Sequence, residues 1–342
     1  MVQLQKGKNL TDTCPNILCI GNAITDVVSS STEQFISNNG MIKNAMNLID
    51  HNRSEEIDKL INDATIVAGG SAANTAACLS KFNCSSNFIG RVGSDEYGVN
   101  YRNNLKKQLV KTHLINDLEY PTARSYIFVT PDKERTMNTH LGASINLQPN
   151  DIPEFLIQSA DIIYVEGYLY DAPEGPKCWE KIGNSAKKFG TKVAISLSDS
   201  WCVDRHRNKL SNFIKKYADI VICNKDELML MFGGSFDYAI EQLKNIVEAG
   251  SVTDGANGAI AFSKNETKNI EALNTSDIVD TTGAGDFYAA GYIFGQLITS
   301  NLDVSLELGS MLAANAIKQI GASPTDDVAN EIFKKYPQFA RQ

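Results

Sequence analysis

The chain predicts an α/β protein in which helices flank a doubly wound, mainly parallel sheet, and a small β-sheet forms a lid. Three apolar strands, 160–167, 193–198 and 218–223, alternate with helical patterns, as expected of βαβ units. Two strand-like segments around a turn at 131–134 predict a hairpin that completes the lid. With 342 residues and 43% apolar content, the chain can bury one large core.

The whole chain is expected to fold as one domain, because one large α/β domain with an appendage fits its length and apolar content. Residues 27–50 are mixed in pattern and are therefore placed outside the main sheet. The expected boundaries within 1–342 are about 27–50 and 120–140 for the lid, and 14–26, 51–119 and 141–335 for the core.

Composition narrows the function. A net charge of −8 without a basic cluster gives no support for nucleic-acid binding. The seven cysteines include no C-x-x-C pair and the four histidines show no metal-ligand spacing, so reduced thiols in a cytoplasmic protein are expected. Residues 1–13 lack an apolar centre and no apolar run reaches membrane-spanning length, so no signal peptide and no membrane contact are expected. An exposed lid edge allows a monomer or a homodimer.

The segment 280–286, which reads DTTGAGD, carries the strongest chemical signal. Its small residues predict a turn that opens an apolar helix near residue 287. The first N–H groups of a helix lack intrahelical acceptors and lie at the positive end of its dipole, so this turn can receive an anion. From the residues alone, Asp286 is either a helix cap or a general base beside that anion.

Three further places combine turns with polar residues. Asp26 follows the first predicted strand, 16–21, where open α/β sheets bind ligands, although a turn acid explains it equally well. Gly69 and Gly70 precede an alanine-rich helix, which a tight helix start also explains. The residues 224–227, after the strand 218–223, are equally consistent with a capped helix.

Taken in order, these segments resemble the signatures of the ribokinase-like (PfkB) family of sugar and nucleoside kinases. The segment 280–286 is similar to the family's C-terminal signature and 68–79 to its N-terminal one. The residues 224–227 resemble its N-x-x-E motif, and 253–258 its T-x-G-x-x-G nucleotide loop. The resemblance covers nearly the whole chain and implies a ribokinase-like fold, without a P-loop lysine.

The resemblance also implies roles for single residues. The catalytic base would be Asp286, and the anion hole for the γ-phosphate would comprise Gly283, Ala284 and Gly285. The acceptor would be bound by Asp26, Gly69, Gly70, Asn74, Asn138 and Glu166. ATP would be bound by Asn224, Glu227, Thr253, Gly255, Gly258 and Asn315. Mg²⁺ would be held through the region of Asn224 and Glu227, and a monovalent cation such as K⁺ by Asp280 and Thr282.

Two side chains keep open roles at this stage. Arg135 in the predicted hairpin could contact phosphate or substrate, or form an ion pair within the lid. Tyr168 could stack on a purine, although core packing is the commoner use of an aromatic ring.

The sequence departs from the family beside the nucleotide loop. The strand before Thr253 is usually apolar, and here it reads EAGS at 248–251. Asp254 stands where a basic residue is common. Nucleotide affinity or preference could differ for both reasons.

The resemblance implies an ATP-dependent kinase that transfers the γ-phosphate to a primary hydroxyl of a ribose-containing acceptor. Residues 40–50 and 136–143 resemble the branch with bacterial adenosine and sugar kinases, which favours adenosine, converted to AMP. A free sugar such as ribose or a fructose derivative is the alternative acceptor. A non-catalytic nucleotide-binding homologue is disfavoured by the complete signature at 283–286. A dinucleotide-dependent oxidoreductase is disfavoured because 21–26 supplies no G-x-G-x-x-G turn.

Overall fold

The computed structural model describes residues 15–132, 134–275, 278–319, 321–322 and 324–340. Within these ranges the strands form one sheet of nine and one sheet of five. The strands are β1 (Asn16–Ile20), β2 (Ile24–Ser30), β3 (Met46–Leu48), β4 (Thr65–Gly69), β5 (Ser85–Gly93), β6 (Lys111–Asp117), β7 (Ala123–Val129), β8 (Arg135–His140), β9 (Ile162–Glu166), β10 (Lys192–Ser196), β11 (Ile220–Asn224), β12 (Ala249–Thr253), β13 (Ala259–Ser263) and β14 (Thr267–Ile270). The helices are α1 (Glu33–Asn38), α2 (His51–Leu60), α3 (Ser71–Ser80), α4 (Glu96–Lys107), α5 (Glu154–Ser159), α6 (Gly175–Phe189), α7 (Ser200–Tyr217), α8 (Lys225–Phe232), α9 (Phe236–Lys244), α10 (Ala284–Thr299), α11 (Leu302–Ala316) and α12 (Asp326–Lys335).

The large sheet has the order β14-β13-β12-β11-β10-β9-β1-β5-β6. From β6 to β12 neighbouring strands are parallel, and β13 and β14 complete one edge in antiparallel pairing. The strand order reverses beside β1, because β5 lies on one side of it and β9 on the other. A crevice at the carboxyl ends of such strands is where open α/β sheets bind ligands.

Helices cover both faces of the large sheet, which confirms the predicted fold class. Side chains alternate across β1, so that Ile17 and Cys19 join one core cluster while Leu18 and Ile20 join the other. The first cluster packs α3, α10 and α11, and the second packs α6 and α7. A sheet buried on both faces explains why its strands read as continuous apolar runs.

Helix α10 begins at Ala284 and is buried on all sides over the two and a half turns from Phe287 to Gly295. It lies against α3 and α11. Its glycines permit this close approach, because a Cβ at Gly291 would lie 2.5 Å from the carbonyl oxygen of Leu308. The packing fixes the N-terminus of α10 relative to the large sheet.

The five-stranded sheet has the order β3-β8-β7-β2-β4, and with α1 and α2 it forms the lid. Its own small core consists of Val27, Ile36, Met41, Ile57, Tyr126 and Phe128. The turn of the β7–β8 hairpin includes Lys133, which lies outside the described residues.

The lid extends beyond the segments 27–50 and 120–140 that the sequence assigns to it. β2 begins at Ile24, and β4 pairs antiparallel with it, so that Ile24 lies opposite Gly69. The sequence of β4 has no clear alternation, and its pairing partner lies far away in the chain, so the pattern gives no strand signal there. As a consequence, Asp26 lies on a lid strand rather than in the turn after β1. In the described ranges no helix has the length and apolar character needed to cross a bilayer.

Candidate active site

A cavity of about 1060 Å³ lies between the lid and the carboxyl edge of the large sheet. We call it the lid cavity. The lid contributes Asp26, Met46 and Leu48 to its wall, and the ends of β9 and β11 contribute Glu166 and Asn224. It therefore occupies the crevice that the reversal of strand order creates.

A second cavity of about 630 Å³ lies beside the first turn of α10. We call it the α10 cavity. Its walls are the loop 253–259, the segment 272–275 and one face of α11. The residues of α11 and its C-cap that border this cavity recur at the spacing i, i+3, i+4 and i+7, which places them on one side of the helix: Ser310, Ala313, Ala314 and the C-cap Ile317.

The turn before α10 presents backbone amides at the boundary between the two cavities. Gly283 caps the helix with a φ of +75°, and a Cβ there would lie 2.4 Å from the Cβ of Ala322. The Ala284 amide donates to the Thr281 carbonyl at 3.2 Å. By the geometry of a helix start, the amides of Gly285 and Asp286 then remain for an anion.

The Asp286 carboxylate is held by the first turns of α3. Ser71 Oγ donates to it at 2.6 Å and Asn74 Nδ2 donates to it at 2.9 Å. Burial raises the pKa of Asp286 to about 6, and these two hydrogen bonds oppose that rise. The group is thus ionised near neutral pH and is a stronger base than an exposed aspartate.

Glu166, which the resemblance assigns to the acceptor, borders the lid cavity and is also bound to the backbone. Its carboxylate accepts from the amides of Asn22 and Ala72, both at 2.7 Å, and its side chain is almost fully buried. Gly21 must be a glycine here, because a Cβ would lie 2.5 Å from the Glu166 carboxyl carbon. Glu166 borders the lid cavity, and its hydrogen bonds fasten the turn after β1 to the start of α3.

Of the other residues assigned to the acceptor, the structure brings Asp26, Gly70 and Asn74 to the lid cavity. Gly69 and Asn138 are absent from the described lining. Asn138 lies between Met137 and Thr139, which do border the cavity, and successive side chains of a strand point to opposite faces. Asn138 therefore faces away from the cavity, as a correction to its assigned role.

The nucleotide-loop residues Thr253, Gly255 and Gly258 border the α10 cavity. Asn315 is absent from its described lining, which corrects its assignment to the ATP site. The reason is helical geometry, since the stripe of α11 that faces the cavity contains Ala313, Ala314 and Ile317. Among the described residues, no charged side chain borders this cavity.

The acidic departure at Asp254 is neutralised by an ion pair. Lys225 Nζ lies 2.8 Å from the Asp254 carboxylate. Lys225 belongs to the N-x-x-E motif at 224–227, so a residue of that motif balances the negative charge in the nucleotide loop 253–258. Together the two side chains therefore add no net charge beside the loop.

Asn224 and Glu227 form a capping box at the start of α8. Asn224 Oδ1 accepts from the Glu227 amide at 2.8 Å, and the Glu227 carboxylate accepts from Asn224 Nδ2 at 2.6 Å and its amide at 3.1 Å. Burial raises the pKa of Glu227 to about 7. Direct ligation of a metal would open this box, so the pair fits an ion that keeps its waters, as Mg²⁺ does. In the part of the chain that the structure describes, no group of three or more His, Cys, Asp or Glu side chains could hold a metal ion.

Asp280 and Thr282 do not fit a monovalent cation in this arrangement. Arg135 of the lid donates to Thr282 Oγ1 and to the Asp280 carboxylate. The same carboxylate accepts from the amides of Thr282 at 2.9 Å and Gly321 at 2.7 Å. A guanidinium therefore balances the charge of Asp280, and it ties the lid to the turn before α10.

Three residues at the rim of the lid cavity, Ser198, Asp199 and Trp201, have no role assigned from the sequence, and a fourth, Tyr168, has an open one. Trp201 in the first turn of α7 is 72% exposed. Asp199 caps α7 and accepts from Tyr168 Oη at 2.9 Å. Ser198 has a φ of +77°, a sparsely populated backbone conformation for a non-glycine residue. All follow the carboxyl end of β9 or β10, so the rule that found Asp26 could also have found them.

The two cavities meet at the start of α10. Thr253, Gly285 and Tyr288 border both of them, while Asp286 borders the lid cavity and Ala284 the α10 cavity. A group bound in one cavity can therefore approach a group bound in the other beside this turn.

Comparisons with known proteins agree with this arrangement. Residues 38–328 match the family model described as "pfkB family carbohydrate kinase". A solved structure of a probable sugar kinase from Rhizobium etli CFN 42 is 34% identical with a TM-score of 0.87, covering 95% of this chain and 99% of that one. The adenosine kinase from Sinorhizobium meliloti is 34% identical with a TM-score of 0.86, covering 94% and 100%. The adenosine kinase of Saccharomyces cerevisiae is 24% identical over 337 residues, covering 92% of this chain and 98% of the relative.

The fold, the paired cavities and these matches define a phosphotransferase with an alcohol group as acceptor. More particularly, the chain belongs to the PfkB family of carbohydrate kinases. Membership of this family implies ATP as the co-substrate.

The carboxyl groups of the lid cavity generate a testable dependence of stability on pH. Burial raises the pKa of Asp26 to about 7. The Asp26 carboxyl group therefore binds a proton more tightly in the folded state than in the unfolded chain. Stability from this group is therefore present at low pH and lost as the pH rises toward 7. We expect Asp26→Asn to gain stability relative to the unmodified protein between pH 5 and pH 8, measured by urea unfolding without ligands.

The matched control is Asp132→Asn, because the pKa of Asp132 is lowered to about 2 by hydrogen bonds from Lys43 and Thr130, outside the tested range. Its stability difference from the unmodified protein should be the same at both pH values. A constant difference for Asp26→Asn as well would show that its carboxyl group titrates normally.

Proposed function

We propose that this protein transfers the γ-phosphate of ATP to the primary hydroxyl of a ribose-containing nucleoside, with adenosine as the favoured acceptor. The observation that carries the proposal is the junction at the start of α10, where two cavities share Thr253, Gly285 and Tyr288. The nucleotide occupies the α10 cavity, whose neutral walls suit an adenine ring. The acceptor occupies the lid cavity.

Asp286 acts as the general base in this mechanism. Its carboxylate borders the lid cavity beside the free amides of α10, so it lies on the acceptor side of the junction. With a pKa raised to about 6, it is ionised at neutral pH and can accept the hydroxyl proton. Ser71 and Asn74 keep the carboxylate oriented while the acceptor binds.

The amides at the start of α10 stabilise the phosphoryl group in transit. They lie at the positive end of a helix and are fixed before the substrates bind, which is the condition for effective electrostatic catalysis. Arg135 reaches the same turn from the lid through Thr282, where its charge offsets that of the Asp280 carboxylate. Mg²⁺ bound with the phosphates would neutralise the charge on the leaving oxygen, held through water by Asn224 and Glu227.

An apolar rim favours a nucleoside over a free sugar. Trp201, Met46 and Leu48 are exposed by 72%, 43% and 57%, and all three border the lid cavity. A planar base would cover such side chains and stack on the indole ring. A free sugar can offer only the C–H groups of one ring face, which cover less of this surface than a base does. The similarity to the Sinorhizobium meliloti adenosine kinase supports the same choice.

A free sugar remains the second candidate, because the probable sugar kinase from Rhizobium etli is similar to the same degree. The deciding experiment measures ADP release with adenosine, inosine, ribose and fructose as acceptors. Turnover of adenosine at a kcat/KM at least tenfold above that of the sugars is expected. Turnover of only a free sugar would contradict the adenosine assignment, and no turnover of any alcohol would favour a non-catalytic nucleotide-binding protein.

Removal of the base should abolish most of the turnover. We expect Asp286→Asn to lower kcat by about 10²–10⁴-fold, the range typical of general-base catalysis, with ATP affinity nearly unchanged. Asp303→Asn is the control, because Asp303 also lies in the first turn of a helix but borders neither cavity in the described lining. The acid limb of kcat/KM in the unmodified enzyme should follow a pKa near 6. Full turnover in Asp286→Asn would refute the assignment.

Removal of the indole ring should weaken the binding of a nucleoside, through its purine base, and not the binding of a free sugar. We expect Trp201→Ala to raise the KM for adenosine about tenfold, since base stacking on an aromatic ring contributes ~1–3 kcal/mol. The activity toward ribose should not change. Phe155→Ala removes another exposed aromatic ring, on α5, and should leave both unchanged. An unaltered KM for adenosine in Trp201→Ala would exclude stacking on this ring.

A further inference from the structure

The buried serine of β12 has a partner on α10. Ser251 is fully buried, and its hydroxyl lies 2.6 Å from the Tyr288 hydroxyl and donates to the Ile260 carbonyl at 3.1 Å. A serine hydroxyl has one proton, so Tyr288 is the donor in the bond between the two side chains. The unusual serine in this strand is thus one half of a buried hydrogen bond between sheet and helix.

This bond lies immediately behind the junction of the two cavities. Tyr288 is 3% exposed, and the little surface that it has borders both cavities. Thr253 follows Ser251 by two residues on β12, and Gly285 precedes Tyr288 by three on α10, and both border the two cavities as well. The bond therefore connects the strand that leads into the nucleotide loop with the turn that carries Asp286.

We propose that the Ser251–Tyr288 hydrogen bond sets the spacing between the nucleotide loop and the amides of α10, and that Tyr288 is a positioning residue for phosphoryl transfer. The inference rests on the proposed function. Transfer depends on the alignment of the reacting groups, and small displacements reduce its rate strongly. In Ser251→Ala the buried Tyr288 hydroxyl loses its acceptor, and in Tyr288→Phe the Ser251 hydroxyl keeps only its bond to Ile260. Either change removes the bond between helix and strand, which favours a shift of one relative to the other.

Tyr292 provides an internal control for this idea. It lies one turn later on α10, and its hydroxyl donates to the Gly250 carbonyl at 3.1 Å, so it also ties α10 to β12. Its ring is nearly parallel to that of Tyr288, with the centroids 6.4 Å apart. It is fully buried and is absent from the described lining of both cavities. Loss of its hydroxyl therefore has the same structural character without touching the junction.

The test compares Tyr288→Phe with Tyr292→Phe in the full-length enzyme. We expect both substitutions to lower the thermal midpoint by a similar amount. Only Tyr288→Phe should lower kcat/KM for ATP, by about tenfold, with the KM of the acceptor within twofold of the unmodified enzyme. Equal kinetics in the two variants would reduce the bond to a structural one and overturn the proposal.

Ser251→Ala removes the same hydrogen bond from the side of the strand, and it replaces Tyr288→Phe in the test if that variant does not fold. We expect it to lower kcat/KM for ATP as Tyr288→Phe does, and the double variant to lose no more than either single one, because both remove one interaction. Additive losses would contradict the proposal.

A calorimetric measurement separates this inference from the proposed function. The affinity for a non-hydrolysable ATP analogue should fall in Tyr288→Phe by at least threefold and remain unchanged in Tyr292→Phe. This comparison needs no acceptor, so it decides the role of Tyr288 even if none of the tested alcohols is phosphorylated. Equal affinities in both variants would count against it.

Discussion

The structure depends on two helix N-termini that converge on one carboxylate. α3 offers Ser71 and Asn74, and α10 carries Asp286 in its own first turn. Hydrogen bonds and the positive helix ends stabilise the ionised carboxylate, while burial destabilises it. The pKa near 6 is the balance of these effects. A carboxylate with more donors would be too weak a base, and one with fewer would be protonated at neutral pH.

The surroundings keep these helices in place by different means. α3 is fastened through the buried Glu166, which accepts from the amides of Asn22 and Ala72. α10 is held by burial on all sides over its central turns and by hydrogen bonds from its Tyr288 and Tyr292 hydroxyls to β12. The lid cavity gathers several carboxyl groups whose pKa values are raised by burial, among them Asp26. At the junction of the two cavities, the amides at the start of α10 can attract a phosphate, and Arg135 lies beside the same turn, paired with Asp280.

The sequence predicts the parts of the fold that repeat a strong pattern, and misses those that depend on distant partners. The buried strands near 162, 193 and 220 and the apolar helix after residue 286 are visible as continuous runs. β4 is invisible, because its short sequence becomes a strand only through pairing with β2. The chemical signal of glycine turns and acids likewise indicates the start of α10. It cannot show that Asn138 faces away from the cavity, which depends on the register of β8.

Contacts between distant parts of the chain also decide the roles of residues near the loops, and the sequence does not show those contacts. A motif places Asp254 beside the nucleotide, but only the fold shows that Lys225 neutralises it. Exposed Trp201 has no motif of its own, and it becomes informative once the carboxyl ends of β9 and β10 are brought together.

The order of the lid strands has a consequence for how the chain acquires its structure. β2 pairs in parallel with β7, so that Ile24 lies beside Ala123, and the elements between them include β5 and α4 of the core. Closing so long a loop is slow and unfavourable until the intervening segment is compact. We expect β5 to pair with β6 and with β1 before β2 reaches β7, because these strands lie closer together in the chain, so the lid sheet acquires protection from solvent exchange after this part of the core.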